Sequence, residues 1–357
     1  MNDYLNYIRT DPYFRSGRQN DLTFSMIYAY SEKFMLVFSH DEVVHGKATL
    51  LGKMPGERRE QFANMRLTYA YHMTHPGKKL FFMGQDIGEY DEFNEGREVE
   101  WNLLEYDEHA KLNRLIADMN KLYTSTPALY AKDNSWEGFE WINCITPNAC
   151  MLSYLRKGHK PEDTLVVVAN FANVKQEFRV GVPYEGKYKE ILNTDAKIYG
   201  GRGTVNKSIC NTIETEWDGK PYAIDMVSAP LSVSIFSYTP YTAEEKAEID
   251  RIRAEELRKA KEAEERRAAK EEADTIAREA AEAKKLAKAA AAEAKERARI
   301  ADEMLKKAQE AAARLQKITE AQEKNVHKPV ETKKAATIKK ADKSVMKQNK
   351  AIRRKIP

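Results

Sequence analysis

Phe34-Met35-Leu36-Val37-Phe38-Ser39-His40-Asp41-Glu42-Val43-Val44-His45-Gly46-Lys47 is the stretch on which the fold turns. The apolar run Phe34 to Phe38 is too short for a buried helix and suits a strand covered on both faces. It stops at Ser39, and three ionisable side chains, His40, Asp41 and Glu42, follow it. They then stand at the C-terminal end of a parallel strand, where barrels of parallel strands place their chemistry. On an extended backbone Asp41 and Glu42 point to opposite faces, so only one aims into a given pocket, and Asp41 is the better candidate. The plain alternative is that Ser39 to Glu42 merely caps the next segment, because Ser and Asp favour turns and helix starts.

Downstream, Glu57 to His75 sets Phe62, Met65, Tyr69 and Met73 at spacings of three and four. That spacing predicts an amphipathic helix, ended by Pro76-Gly77. Leu80 to Met83 predicts a second buried strand, with Gln85, Asp86 and Glu89 after it. Strand, helix and strand in this order make a βαβ unit. Upstream, residues 3–9 and about 21–31 predict short helices, the second with Leu22, Met26, Ile27 and Tyr30 on one face and Asn20 as its N-cap. A helix over about 108–123 carries Leu112, Leu115, Ile116, Met119 and Leu122, and Pro127 closes this part.

From about Trp136 to Tyr238 the pattern changes to short strands over 150–156, 164–170, 177–182, 188–192, 222–226 and 231–238. Turn signals roughly every ten residues predict an antiparallel β-sandwich. The Gly200-Gly201-Arg202-Gly203 loop lacks the strand-to-helix context of a phosphate cradle and is read as a turn. Beyond Pro240, about 242–324 reads as one charged helix, on the order of 120 Å long if continuous. Glu255/Lys259, Glu262/Arg266, Glu293/Arg297 and Glu303/Lys307 are i,i+4 pairs in the favourable order, each contributing about 0.2–0.5 kcal/mol. Its apolar seam is mostly Ala, so a free-standing helix and a coiled coil both remain open. Residues 325–357 hold eleven Lys or Arg against two acidic residues. Such a segment buries too little surface to order itself and would be drawn to polyanions.

Ser39-His40-Asp41-Glu42-Val43-Val44-His45-Gly46-Lys47, followed by Leu50-Leu51-Gly52-Lys53-Met54-Pro55-Gly56, resembles the seventh-strand motif of α-1,4-glucan branching enzymes in the α-amylase superfamily. The likeness continues through Thr74 to Gln85, Phe139 to Ile142 and Leu192 to Gly201, and covers roughly residues 1–240. It implies the C-terminal part of a (β/α)8 TIM barrel (its last two strands) over 1–126 and an all-β domain over 127–240. The helix, 241–324, and a disordered basic tail, 325–357, follow. The expected class is therefore α/β plus all-β plus a long helix.

The same likeness implies a glycosyltransferase that cuts α-1,4-glucan and re-attaches the segment through an α-1,6 link in glycogen synthesis. Retention at a sugar centre needs two carboxyl groups about 5–5.5 Å apart, a nucleophile and a general acid/base. The superfamily adds a third on the seventh strand, and Asp41 matches it. His40 matches the histidine that hydrogen-bonds the same sugar, as a neutral imidazole can. Glu42 and Gln85 are sugar-contacting candidates from their places at strand ends.

The motifs for the nucleophile and acid/base are expected on earlier strands and have no counterpart upstream of Asp41, where no Gly-x-Arg-x-Asp pattern occurs. The chain thus reads as a C-terminal portion beginning at an internal methionine, inactive alone. A pairing of Asp41 with Asp86 as substitute carboxylates is the weaker reading.

Bulk properties bound the rest. The net charge of +4 averages two unlike parts and says little of the folded one. Cys144, Cys150 and Cys210 show no C-x-x-C spacing, which suits free thiols in a reducing cytoplasm. No run approaches a membrane span. His72 and His75 share a helical face, but a surface position is the expected one and no metal or cofactor is called for. Trp101, Trp136 and Trp141 are expected to pack in the core rather than to stack on sugars. Glucan or glycogen is the expected partner. A non-catalytic glucan-binding module that tethers to a protein or polyanion through 242–357 is the rival reading.

Overall fold

In a computed structural model, residues 2–44, 46–146 and 148–323 are described, so the expected basic tail lies outside the described residues. The chain divides into two compact units, one ending at Ala254 and one beginning at Glu255. The first unit holds the remnant of a parallel barrel and an antiparallel sandwich.

The barrel part begins with α1 (Asn2–Arg9) and α2 (Asn20–Thr23). The strand β1 (Met35–Phe38), the short α3 (Leu50–Lys53), α4 (Arg58–Thr74) and β2 (Lys78–Phe81) follow. The helix α5 (Asp107–Ser125) completes it. β1 and β2 run parallel, with Met35 opposite Lys78 and Phe38 opposite Phe81. Gly77, at φ +105°, turns the chain from α4 into β2, and a Cβ there would meet the Leu36 side chain and the Phe34 carbonyl at 3.3 Å.

Three expectations are corrected here. The helix predicted over 21–31 stops at Thr23 and loosens into a 3-10 turn, Phe24–Ile27, and Gln19 rather than Asn20 takes its N-cap position, without a side-chain capping bond. Of its supposed stripe only Leu22 is buried, and Ile27 lies in solvent, so little holds a further turn. β1 and β2 are not covered on both faces: Met35 is 54% exposed and no residue of β2 is fully buried. Among the described residues each strand pairs only with the other, so the neighbours that would cover them are not there. β2 also starts two residues earlier than predicted, because Lys78 and Lys79 pair with Met35 and Leu36 of β1, and Lys79 folds its ammonium back on the carbonyls of His75 and Gly77.

α4 is buried almost all round rather than on one stripe, since every residue from Asn64 to Thr74 is buried. One reason is the sandwich behind it. That sandwich comprises β3 (Phe139–Asn143), β4 (Met151–Arg156), β5 (Leu165–Asn170), β6 (Gln176–Val182) and β7 (Lys187–Asn193). The strands β8 (Cys210–Asn211), β9 (Tyr222–Ser228) and β10 (Ser232–Thr239) complete it. A six-stranded sheet in the order β3-β4-β5-β10-β7-β8 packs on the pair β6-β9. The short β3 and β8 were not separately visible in the sequence pattern.

The period of two explains why the central strands are apolar throughout. Leu165, Val167 and Ala169 of β5 join a core shared with Tyr69, Met73 and Leu112 of the barrel part. Val166 and Val168, pointing the other way, join Val180, Ile224 and Phe236 between the two sheets. Buried arginines complete the junction. Arg15 donates to the carbonyls of Thr10, Ile8 and Phe171, and Arg66 to that of Thr194.

The long helix α6 (Ala243–Glu323) starts on the sandwich, where Glu245 meets Lys187 at 2.8 Å and Glu185 meets Lys246 and Arg253 at 2.8 and 2.9 Å. In the second unit Glu255–Lys259 and Glu293–Arg297 close at 2.7 and 2.6 Å. Leu257, Ile276, Leu286 and Leu315 there face solvent.

Candidate active site

β1 ends at Phe38, whose ring lies against His72 and Phe81, and the chain then turns at once. Ser39 caps a 3-10 turn, His40–Glu42, its hydroxyl accepting from the Asp41 N–H at 3.2 Å. Asp41 and Glu42 therefore do not alternate across a strand, as an extended backbone would have them do. The local capping reading and the end-of-strand position hold together.

The Asp41 side chain is 71% exposed, and His40 Nε2 lies 3.3 Å from its Oδ1. The His40 ring rests near Phe82, which follows β2, at 5.8 Å, and near Phe93 at 6.3 Å. Glu42 is half-buried. Gln85 follows β2 and is buried, with Oε1 accepting from the Phe82 N–H at 3.1 Å and Nε2 without a hydrogen-bond partner. The two strand ends thus bring His40, Asp41 and Glu42 to one side of the βαβ unit, while Gln85 sits inside it.

Asp86, the other strand-end carboxylate, accepts from Asn113 Nδ2 of α5 at 2.9 Å. A cavity of about 280 Å³ lies instead beside the start of β1, lined among others by Leu22, Ser25, Tyr28, Leu36 and His75, and Asp41 does not line it.

The surface expectation for His72 and His75 is overturned, since both are buried. His72 Nε2 lies 3.1 Å from the Leu36 carbonyl, and His75 bridges Ser25 Oγ and the Pro76 carbonyl at 3.1 and 3.0 Å. Burial holds the His75 imidazole at about 3, far below its ordinary 6.5, and pushes His72 down as well. Above pH 6.5 both are neutral in either state; below it the unfolded chain takes protons that the folded one refuses. Stability is thus complete above 6.5 and is lost as pH falls toward 3. At pH 5 the His75 share of this loss is about 2 kcal/mol relative to pH 7. Urea melts at the two pH values, with His75→Gln as the variant that removes this share of the slope, check it.

Trp101 and Trp136 also depart from expectation, being 55% and 74% exposed, whereas Trp141 packs edge-on against Phe139 at 4.8 Å. The Gly200 loop is a turn, held by Asp195 accepting from the N–H groups of Arg202 and Thr204 at 2.9 Å. Among the described residues no group of three or more His, Cys, Asp or Glu is placed to hold a metal ion. No helix there is long and apolar enough to cross a membrane.

Two side chains that hold the candidate site escaped the sequence reading. Lys53, in the short α3, and Glu92, in the loop after β2, both grip the segment that carries Asp41. Only the sequence position of Lys53 next to the motif hinted at it.

Residues 141–239, from β3 to β10, match the alpha amylase C-terminal all-beta domain. The 1,4-alpha-glucan branching enzyme GlgB of Dechloromonas aromatica (strain RCB) is 47% identical over 236 residues, 66% of this chain and 38% of that one. The chain is similar to 1,4-alpha-glucan branching enzymes over about two-thirds of its length. The branching enzyme of Geobacillus stearothermophilus is 45% identical over the same share of this chain and 37% of its own. That of Synechococcus elongatus (strain ATCC 33912 / PCC 7942 / FACHB-805) is 44% identical, over 30% of its own length. The chain therefore spans about a third of the length of the branching enzymes it matches.

Proposed function

We propose that this chain supplies one wall of a glucan-branching site, with Asp41 as the carboxylate that stabilises the transition state and His40 as a donor to a sugar hydroxyl. The observation that carries the reading is the His40–Asp41 turn at the C-terminal end of β1, open to solvent and beside the end of β2. As an α-1,4 bond breaks, positive charge grows on the sugar ring, and a fixed carboxylate is most useful where charge develops. Asp41 meets that need without leaving a covalent bond to the sugar. Glu42 and Gln85 flank it as lesser sugar contacts.

The bond-breaking carboxylates are a separate requirement. A retaining mechanism needs a nucleophile and an acid/base, and Asp86, the strand-end alternative, accepts a hydrogen bond from Asn113. The chain alone should therefore bind α-1,4-glucan and leave its branching unchanged. Incubation with amylose followed by iodine staining tests this. Absorbance should hold steady, and a fall that Asp41→Ala abolishes would show that no further carboxylates are needed.

The exposed apolar side chains of α6 favour a second reading, in which the β-domain touches glucan while residues 242–357 tether it to a protein or polyanion. Glucan-affinity electrophoresis with and without 242–357 separates the two. Retardation by residues 1–241 that Asp41→Ala weakens supports the wall of a branching site; retardation indifferent to Asp41 supports the tether.

A further inference from the structure

The segment after β1 is held from behind by two charged side chains that lie outside the His40–Asp41–Glu42 turn. The Lys53 ammonium is buried and has three N–H donors. It spends them on three backbone carbonyls, those of Glu42, Lys47 at 2.7 Å, and Ala48. Among the described residues none of its hydrogen bonds goes to a carboxylate. Burial pushes its pKa down, with Arg9 adding to the effect and the Glu42 and Glu92 carboxylates opposing it, while the three carbonyls take its hydrogen bonds.

Glu92 grips the same segment from the other strand's loop. One of its oxygens accepts from the Gly46 N–H at 2.7 Å and the other from the Ala48 N–H at 2.6 Å. Ala48 is thus held at its N–H by Glu92 and at its C=O by Lys53. It needs holding, because its φ of +62° is a left-handed conformation that a residue with a Cβ adopts only under constraint. Lys47, between these points, returns its ammonium to the Asp41 carbonyl at 2.6 Å, and the Phe93 N–H reaches the Val43 carbonyl at 2.9 Å.

We propose that Lys53 and Glu92 are positioning residues that fix the direction of the His40–Asp41–Glu42 turn and so set how Asp41 meets a sugar. The inference rests on the glucan reading for its consequence, but not for the bracing itself. A tetrahedral ammonium suits three converging carbonyls; a planar guanidinium does not, so charge alone at position 53 is insufficient. The brace also couples the two strand-end loops, since Lys53 lies before α4 and Glu92 after β2.

The test uses the full chain, with amide hydrogen exchange over 39–48 and maltoheptaose affinity as readouts. In Lys53→Met, exchange at Gly46 and Ala48 should rise about tenfold or more, while β4, β5 and β10 keep their protection. Maltoheptaose affinity should fall as far as it does in Asp41→Ala, at a melting temperature that moves little. Lys53→Arg should behave like Lys53→Met, which a role for charge alone would not produce. Glu92→Gln, on a surface loop, carries the same expectation should Lys53→Met fail to fold. Unchanged exchange in either variant, or faster exchange with undiminished affinity, overturns the inference. If the unsubstituted chain binds no maltoheptaose, the glucan reading fails, and the exchange data still decide the brace.

Discussion

Arg156→Met should destabilise the first unit by about 3–5 kcal/mol, the cost of stranding one partner of a buried ion pair. Arg156 and Asp133 have side chains 0% and 1% exposed and meet at 2.9 Å. The guanidinium also donates to the carbonyls of Thr74 at 2.6 Å, Leu129 at 3.2 Å and Gly138 at 3.4 Å. These are the end of α4, the turn after α5 and the start of β3, so one side chain joins the barrel part to the sandwich. Asp133 meanwhile accepts from the Gly77 N–H at 3.0 Å and has its second oxygen 3.7 Å from Lys78 Nζ.

With Arg156 removed, that carboxylate keeps a single amide and a distant, solvated lysine. Adding Asp133→Asn should recover part of the loss, because the remaining Oδ1 still serves Gly77 without a charge to desolvate. Urea denaturation of the two single variants and the double variant measures the coupling. A loss below about 1 kcal/mol in Arg156→Met would mean that the junction does not depend on this pair.

What the sequence disclosed and what it withheld divide along a physical line. The end of β1 was legible because five apolar residues stop abruptly at Ser39, and a local pattern suffices for that. The strands β4, β5 and β10 were legible to within a residue or two for the same reason. Burial was not legible, because it depends on what packs from elsewhere in the chain. His72 and His75 are enclosed by β1, the segment after α2 and their own helix, which no spacing of histidines reveals. Met35 is open because its sheet has two strands, although its sequence reads as interior. Trp101 and Trp136 carry the composition of a core and sit in solvent.

The candidate site shows the same division. His40 and Asp41 are adjacent and carry a motif, so the sequence presents them directly. Lys53 and Glu92, thirty-nine residues apart from one another, act on the same short stretch of backbone, and hydrogen bonds to carbonyls and amides leave no side-chain pattern to find. Gln85 was legible as a strand-end residue, but its inward turn onto the Phe82 N–H was not.

The second large effect concerns Asp41 itself. Among the described residues its carboxylate has one close side-chain neighbour of ion-pair type, His40, itself exposed. Its replacement should therefore cost little stability, and any large effect must come from chemistry. If this chain is one wall of a branching site, that chemistry emerges only when the barrel strands carrying a nucleophile and an acid/base stand opposite. The unpaired edges of β1 and β2 are where such strands would add. A carboxylate that stabilises developing charge in a water-poor cleft is worth about 10²–10³ in kcat, so Asp41→Asn should lower turnover by that factor.

The decisive measurement is amylose branching by this chain co-expressed with the part of the Geobacillus stearothermophilus branching enzyme that precedes the matched stretch. Branching is expected in the mixture and in neither part alone. With Asp41→Asn it should fall by about 10²–10³ at an unchanged melting temperature. Branching within about twofold of the unsubstituted mixture would show that this carboxylate plays no part in the chemistry.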